Sequence, residues 1–254
     1  MKYSLGNGNI QFFGGRGAGG GGGSAGGMFA PMNATAKYKD VEKNKRFNTA
    51  QAMDLKNVTG VEVSDALVRD LEPLAFKRVV DSIKQLKKEN PELQFDRVKA
   101  TGQYGVLAST NGTELNVNPT YFYDRETMNK VYQMCVDRGF HPKNTTGDDI
   151  VWHEYGHMLV HRAIEKDPKI KAVDKIRTWN NQTYAGNIVK RAFTKYNGGK
   201  YDRKAIATAR MNISEYATKN WHETIAEAYA DYHRNGKKAN KFSIAICEEL
   251  NKLI

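Results

Sequence analysis

The stretch WHEYGH at residues 152–157 places two histidines four residues apart in a segment that is otherwise apolar. His153 and His157 project from one face of a helix, because an α-helix repeats about every 3.6 residues. Large apolar residues surround them on both sides: Ile150, Val151, Trp152, Met158, Leu159 and Val160. A helix of this composition is expected to be buried, so its imidazoles must be hydrogen-bonded or bind a metal. The rest of the chain has to supply partners for both rings.

Capping and periodicity signals predict where this helix and its neighbours lie. Thr146, followed three residues later by Asp149, has the form of a capping box and predicts a helix over 147–165. Apolar residues at helical spacing predict further helices in the second half of the chain. These cover residues 124–138, 169–180, 202–217, 221–234 and 239–253.

The first half of the folded part combines a helix with short strands. Ser64 can cap a helix whose apolar pattern continues to Pro91, and Pro73 inside it predicts a kink or a later start. Residues 93–118 contain short, partly alternating segments, and TNGT at 110–113 is a hairpin signal. We therefore expect an α+β fold, in which a small antiparallel sheet precedes a mainly helical C-terminal half.

The N-terminal region differs in composition from everything that follows. Residues 14–27 read GGRGAGGGGGSAGG, which offers almost no side chains to bury. Glycine also loses more conformational entropy than other residues when it is ordered. We predict a flexible Gly-rich arm over residues 1–60 and a folded domain over residues 61–254.

Charge and hydropathy limit the partners and the location of the protein. The formal net charge is +11, which favours contact with nucleic acid, an anionic membrane surface or acidic proteins, although a solvated basic surface is the simpler alternative. No nucleic-acid-binding motif is recognisable in the sequence. No apolar run is long enough for a membrane span, and no standard secretory signal is evident, so we expect a cytoplasmic, virion-associated or non-Sec-exported protein.

A metal site on the 147–165 helix needs a third protein ligand. His161 is one candidate, but three ligands along one straight helix cannot easily converge on a single ion. Acidic residues at 223, 227 and 231, spaced by four, offer a better source: Glu223, Glu227 and Asp231. One of these carboxylates can bind the metal, and the one a turn later can accept a hydrogen bond from a ligand histidine.

Together, HEYGH at 153–157 and SEYATKNWHETIAEAYADY at 214–232 resemble the gluzincin zinc metallopeptidases. The likeness is to the catalytic-domain type of anthrax lethal factor and its relatives in toxins and bacteriophage-encoded proteins. The second motif of that group reads roughly Y-x-x-x-N-x-x-E-x-x-A-E-x-[FY]. This chain matches it at Tyr216, Asn220, Glu223, Ala226, Glu227 and Tyr229. The first 60 residues lie outside the resemblance.

The resemblance implies a zincin-like metallopeptidase domain with one Zn²⁺ per chain. Its ligands would be His153, His157 and Glu223. Glu154 would be the general base, and Tyr216 would stabilise the oxyanion or act as an acid. Glu227 would hold a ligand histidine through the second ring nitrogen. A substrate peptide would add as a strand along 105–110 or 113–118.

A second register of the acidic residues stays open. The thermolysin-type pattern E-x-x-x-D also fits, and it would make Glu227 the ligand and Asp231 its supporting carboxylate. Tyr216 favours the first register, because it stands about two turns before Glu223. Phage and plasmid repressor-cleaving peptidases are a related likeness, since they often carry a further histidine at the position of His161.

Three classes of function follow from these patterns. The first is a zinc-dependent endopeptidase that hydrolyses a peptide bond with Glu154 as general base. The second is a catalytically silent, phage-associated structural or interaction protein that retains a zinc-binding fold. The third is a basic nucleic-acid-binding protein in which a metal is only structural.

Overall fold

The computed structural model describes residues 41–103, 106–122 and 124–254, and these residues form eleven α-helices and four short β-strands. The helices are α1 (Val41–Thr59), α2 (Asp65–Asp70), α3 (Pro73–Glu89), α4 (Pro119–Phe122), α5 (Arg125–Asp137), α6 (Ile150–Lys166), α7 (Lys175–Asn180), α8 (Thr183–Tyr196), α9 (Arg203–Met211), α10 (Trp221–Asn235) and α11 (Lys241–Asn251). The strands are β1 (Glu62–Val63), β2 (Arg97–Ala100), β3 (Ala108–Thr110) and β4 (Glu114–Val117).

The four strands form one mixed sheet in the order β1-β2-β4-β3. Strands β1, β2 and β4 run parallel, and only β3 pairs antiparallel, with Ala108 opposite Val117. The α+β fold class is thus confirmed, whereas the prediction of an antiparallel sheet is wrong for two of the three strand pairs. A tight turn marks an antiparallel hairpin in the sequence, but the parallel pairs join strands that no tight turn connects. The chain passes from β1 to β2 through α2 and α3, and β3 comes between β2 and β4, so neither pairing leaves a local signal.

The predicted hairpin lies between β3 and β4. The side-chain oxygen of Asn111 accepts hydrogen bonds from the backbone N–H groups of Thr113 (3.0 Å) and Glu114 (2.9 Å). Gly112 has φ +103°, a conformation that other residues rarely adopt. A side chain at Gly112 would also overlap the ring of His161 on α6. The turn chemistry of TNGT and the packing against α6 therefore both favour glycine at this position.

Helix α1 extends the folded part of the chain further towards the N-terminus than predicted. Leu55 is fully buried, and the side-chain amide of the buried Asn48 donates to the carbonyl oxygens of Val68 and Leu71 at 3.0 and 2.9 Å. These contacts fasten α1 to the end of α2. The prediction of a flexible arm over residues 1–60 is therefore wrong for residues 41–59, which form α1, and its first part, residues 1–40, lies outside the described residues.

The remaining helices largely follow the predictions, and two segments differ from them. The break before Pro73 is confirmed, since α3 begins at that proline. Helix α8 lies where no helix was predicted, although Ile188, Val189 and Phe193 give it a buried apolar face. The helix predicted over 202–217 ends at Met211, and the chain continues into a short 3₁₀ turn (Tyr216–Thr218). No helix in the described part of the chain is both long and apolar enough to cross a membrane.

The centre of the core is the contact between α6 and α10. Every residue of α6 from Ile150 to Val160 is buried, and so is α10 from His222 to Asp231. A Cβ atom at Gly156 would stand 2.8 Å from the Cα atom of Ala226, closer than two such atoms can approach. The two backbones therefore touch at this crossing, and the small residues Gly156 and Ala226 make the approach possible.

We predict that Gly156→Ala destabilises the protein, because the added methyl meets backbone that cannot move aside cheaply. Overpacking costs about 1–3 kcal/mol, from which a gain in helix propensity of up to about 1 kcal/mol is subtracted. Chemical denaturation should show a net loss in the free energy of unfolding. Gly102→Ala is the control, since nothing lies within 4 Å of a Cβ at that position. Equal stability of the two variants would contradict the close crossing.

Candidate metal centre

Helix α6 presents two imidazole rings to the interior. His153 and His157 are each 1% exposed, and their ring centroids are 5.0 Å apart. The predicted capping box is present, but it starts a 3₁₀ turn over Gly147–Asp149 that leads into α6 at Ile150. In this box the carboxylate of Asp149 accepts the backbone N–H of Thr146 at 2.7 Å. The side chain of Arg234, at the end of α10, donates to the same carboxylate at 2.9 Å. The start of α6 is therefore tied to the end of α10, the helix that supplies the acidic side chains.

Helix α10 begins at a fixed point. The side-chain oxygen of Asn220 accepts the backbone N–H of Glu223 at 2.9 Å, which is an N-cap bond. The guanidinium of Arg210 donates to the carbonyl oxygen of Asn220 and to the hydroxyl of Thr224, and it lies 4.3 Å from the ring centroid of Trp221. The first turn of α10 is thereby held from two sides, and Glu223 lies in that turn.

Glu223 meets both histidines of α6. Its Oε2 atom lies 3.1 Å from Nε2 of His153 and 3.4 Å from Nε2 of His157. One ligand atom from each of these three buried residues lies within 4.8 Å of the other two. Two imidazole nitrogens and one carboxylate oxygen are a donor set that zinc uses when one coordination position is left for a water or substrate. The three side chains therefore fit a metal ion of this class.

Glu227 supports His153 from the opposite side of its ring. The Nδ1–H group of His153 donates to Oε1 of Glu227 at 2.8 Å, which leaves Nε2 directed at Glu223. The other oxygen of Glu227 accepts from the hydroxyl of Ser214 at 2.8 Å and from Nδ1 of His141 at 3.2 Å. Such a carboxylate fixes the tautomer and the orientation of a ligand histidine.

Asp231 takes no part in this cluster. Its carboxylate accepts from the side-chain amide of Asn235 at 2.7 Å and from the backbone N–H of Asn240 at 2.9 Å. These bonds hold the turn between α10 and α11. The geometry thus favours the register with Glu223 as the ligand and Glu227 as its support over the register that pairs Glu227 with Asp231.

Glu154 lies beside the cluster with its carboxylate unsatisfied. The residue is fully buried, and neither side-chain oxygen has a hydrogen-bond partner within the described part of the chain. Burial raises the pKa of this carboxyl group, an effect that the neighbouring histidines His157 and His153 oppose. An unpaired buried carboxylate costs several kcal/mol unless it gains a partner, on the order expected for burying a polar or charged group. Its unsatisfied oxygens could accept a hydrogen bond from a water or a substrate atom that reaches the cluster.

Tyr216 reaches the cluster from the 3₁₀ turn that precedes α10. Its backbone N–H donates to the carbonyl oxygen of Phe140 at 3.1 Å, so the turn packs on the 139–141 segment. The ring of Tyr216 is 2% exposed, and its centroid is 6.0 Å from that of His153 and 5.8 Å from that of His141. The tyrosine singled out by the sequence motif therefore lies against a candidate ligand.

The structure adds His141, which the sequence patterns did not indicate. It is buried, bonds Glu227, and stacks on the ring of Tyr132 at 4.6 Å between centroids. It lies between α5 and the turn that leads into α6, where no helical spacing links it to another titratable residue. The sequence of residues 139–142 carries no signal that could have placed it 86 positions away from its carboxylate partner.

The three other histidines surround the cluster. His222 is buried rather than at the surface, donates from Nε2 to the carbonyl oxygen of Trp179 at 3.1 Å, and has a pKa lowered to about 4 mainly by burial. His161 is partly buried against the ring of Trp179 and contributes no ligand atom to the cluster. His233 pairs with Glu89 at 3.3 Å. Helix α7, through Trp179, therefore covers one side of the site.

The buried charges of the cluster stabilise one another. Burial alone lowers the pKa of His153, but hydrogen bonds to Glu223 and Glu227 outweigh it and raise the pKa to about 10. Burial raises the pKa of Glu227, yet His141 and His153 together lower it to about 2. The pKa of Glu223 is likewise held below its usual value, chiefly by His157 and His153 against the effect of burial. A metal ion would bind the neutral form of His153, so metal binding would release any proton carried at Nε2.

Comparison of the chain with protein-family models, with curated proteins and with solved structures gives no match. The zincin-like architecture and the gluzincin resemblance thus stay predictions from the two motif blocks. The convergence of His153, His157 and Glu223 in the structure is an observation that does not depend on this resemblance.

We predict that three matched amide substitutions on α10 separate the roles of its carboxylates. Glu223→Gln should abolish retention of zinc, because a neutral amide is a poor ligand in place of a carboxylate. Glu227→Gln should weaken zinc binding by about 10–100-fold, as is usual for the group that holds a ligand histidine. Asp231→Asn should leave zinc affinity unchanged. Zinc content by plasma mass spectrometry, with chelator competition, measures all three.

A stronger loss of zinc in Asp231→Asn than in Glu223→Gln would contradict the assignment and support the alternative register. Circular dichroism of each variant serves as the control for folding.

Proposed function

We propose that the protein is a zinc-dependent endopeptidase. The observation that carries the proposal is the convergence of His153, His157 and Glu223 in the interior, with the unpaired carboxylate of Glu154 one residue from a ligand. The resemblance of both motif blocks to gluzincin metallopeptidases supports the same reading. Zinc, when bound, supplies Lewis-acid chemistry: it lowers the pKa of a coordinated water and polarises a carbonyl oxygen.

Glu154 is the proposed general base. Its carboxylate would take a proton from the attacking water and return it to the leaving amine. Two features of its surroundings support this role: it has no hydrogen-bond partner among the described side chains, and burial raises its pKa towards the range useful for proton transfer. A group already engaged in an ion pair would be less suited to the task.

Tyr216 is the proposed stabiliser of the developing oxyanion. A hydroxyl that donates a hydrogen bond there acts most strongly where water is excluded. The burial of Tyr216 and its contact with the ring of His153 support this role. His141 and Ser214 would contribute indirectly, by fixing the carboxylate of Glu227 that orients His153.

The sheet offers one edge on this side of the molecule for an extended peptide. Strand β3 is an outer strand of the sheet, and β4 lies between β2 and β3. Residues 114–117 therefore cannot accept a further strand, which corrects the second of the two segments named for substrate addition. We place an added peptide strand along β3, where main-chain hydrogen bonds would hold it.

A second candidate is the catalytically silent zinc-binding protein, and the enclosure of the cluster favours it. The three candidate ligands are at most 3% exposed, and α7 lies against His222. Hydrolysis of a peptide would require α7 to move away from the site. The two candidates differ in their response to chelation: a peptidase loses turnover and stays folded, whereas a structural zinc protein loses its fold.

We predict that Glu154→Gln retains about one zinc per chain and lowers turnover of denatured casein by at least about 100-fold, the usual contribution of a general base. The amide keeps the shape of the side chain but cannot accept a proton. Glu165→Gln on the exposed side of the same helix is the matched control and should keep full turnover. Turnover by the wild type should stop on addition of a chelator.

Unchanged turnover in Glu154→Gln would remove Glu154 from the mechanism. Absence of turnover in the zinc-loaded wild type, together with unfolding on chelation, would establish the silent candidate instead.

We predict that Tyr216→Phe keeps zinc but lowers kcat by about 100-fold, as loss of a single oxyanion donor does in other hydrolases. KM should change little, because the hydroxyl acts mainly in the transition state. Steady-state kinetics on a fluorogenic peptide measure both constants. Tyr232→Phe on the exposed side of α10 is the control. Full activity of Tyr216→Phe would show that this hydroxyl takes no part in the reaction.

A further inference from the structure

Helix α8 and the loop that follows it carry a dense group of exposed cations. We name this the α8–α9 basic surface and define it by Lys190, Arg191, Lys195, Lys200, Arg203 and Lys204. The only acidic residue in the sequence from 183 to 204 is Asp202. Its carboxylate already caps α9 by accepting the backbone N–H groups of Lys204 and Ala205 at 2.7 and 2.8 Å. The surface thus has a large excess of positive charge.

One carboxylate beneath this surface draws three cations together. The side chain of Glu249, on α11, is 9% exposed and pairs with Arg191 (3.2 Å), Lys195 (2.5 Å) and Lys252 (3.2 Å). One negative charge thereby holds three positive ones at a single place. Two positive charges stay uncompensated there, so the site is preorganised for an anion from solution.

Two tyrosine rings flank the cations in fixed positions. Tyr196 is 46% exposed and Tyr201 is 51% exposed, both unusual for large aromatic side chains. The buried ring of Phe193 lies 6.2 Å from the ring centroid of Tyr196 and 6.3 Å from that of Tyr201. Phe242 supports Tyr196 from below at 5.4 Å. Each ring is therefore anchored on the core and leaves part of its surface open to solvent.

A groove joins the cations to one of the rings. It has a volume of about 530 Å³ and is lined by Lys190, Arg191, Thr194, Lys195 and Tyr201. None of these residues belongs to the candidate metal centre. The groove combines a cationic wall with an aromatic face, two features that single-stranded nucleic acid engages together: phosphates contact the cations while unpaired bases stack on the ring.

We propose that the α8–α9 basic surface binds single-stranded nucleic acid. The cations contact successive phosphates, and Tyr196 and Tyr201 each stack on a base. A duplex fits this surface less well, because its paired bases do not present their faces to a protein side chain. The proposal is independent of the peptidase function, since a failure of either leaves the other standing.

The first test measures the salt dependence of binding. The full chain is titrated into a fluorescein-labelled single-stranded oligonucleotide of mixed sequence, and anisotropy is recorded at several KCl concentrations. The triple variant Lys190→Ala, Lys195→Ala and Lys200→Ala should lose at least about tenfold in affinity. Its slope of log K against log salt should fall by about two, because each lost phosphate contact removes about 0.7 from the slope.

The charge-matched control removes three cations from α1: Lys43→Ala, Lys45→Ala and Arg46→Ala. It should keep the salt slope and most of the affinity of the wild type. Equal losses in the two triple variants would show that only overall charge matters, and would overturn the proposal.

The second test separates single strands from other anionic partners. The double variant Tyr196→Leu and Tyr201→Leu keeps apolar packing on Phe193 but removes the stacking faces. It should bind the single strand about tenfold more weakly or worse, a loss typical of removed base stacking, and Tyr232→Leu should not. Three results would each overturn the proposal. The first is an unchanged affinity in the double variant, and the second is tighter binding to a duplex of the same sequence. The third is binding to phosphatidylserine vesicles without binding to the oligonucleotide.

Discussion

The backbone contact between α6 and α10 at Gly156 and Ala226 is the constraint on which the candidate centre depends. Two helices that meet through larger side chains lie about 8–10 Å apart, whereas small residues allow a closer approach. The close crossing places the first turn of α10 beside the face of α6 that carries His153 and His157, and Glu223 contacts both imidazoles there. Glu223 does so because the N-cap at Asn220 and the clamp of Arg210 fix the first turn of α10. The crossing, the cap and the clamp act together, so a change in any one of them shifts the distances between ligand atoms.

The charged side chains of the cluster also stabilise one another electrostatically. Each carboxylate is held below its ordinary pKa by imidazoles, and His153 is held above its own by carboxylates. These mutual interactions offset the cost of burying charge, which is prohibitive for any of the groups alone. Glu154 differs from them, because burial raises the pKa of its carboxyl group. Its two oxygens have no hydrogen-bond partner on any described residue, and the same holds for Nε2 of His157 and Oε2 of Glu223. Several unsatisfied polar atoms that converge in the interior mark a place where a ligand, a water or a reacting atom is expected.

The residues of the two candidate functions lie in different parts of the structure. The candidate metal centre is enclosed between α6 and α10, where Glu223 and Glu227 pair with buried imidazoles. The α8–α9 basic surface is exposed to solvent in the helical half of the protein. There the single carboxylate of Glu249 pairs with three cations, so positive charge remains in excess. Helix α8 connects the two, since its buried face packs in the core while its exposed face carries Lys190 and Lys195.

Local signals in the sequence determined much of the secondary structure and the identity of the cluster. Asp149 and the glycine of TNGT act on residues within a few positions of themselves, so the start of α6 and the β3–β4 hairpin could be predicted. The spacing of His153 and His157, and that of the carboxylates on α10, likewise follow from helix geometry alone. Tertiary structure decided what depends on distant residues: the parallel strand pairs, the packing of α1, the contact of Glu223 with both histidines of α6, and the contact of His141 with Glu227. A turn motif or a helical repeat does not indicate which distant segment will pack against it, because that packing is determined by the burial of entire helix and sheet faces. The sequence therefore specified the candidate ligands, and the fold decided which of their atoms meet.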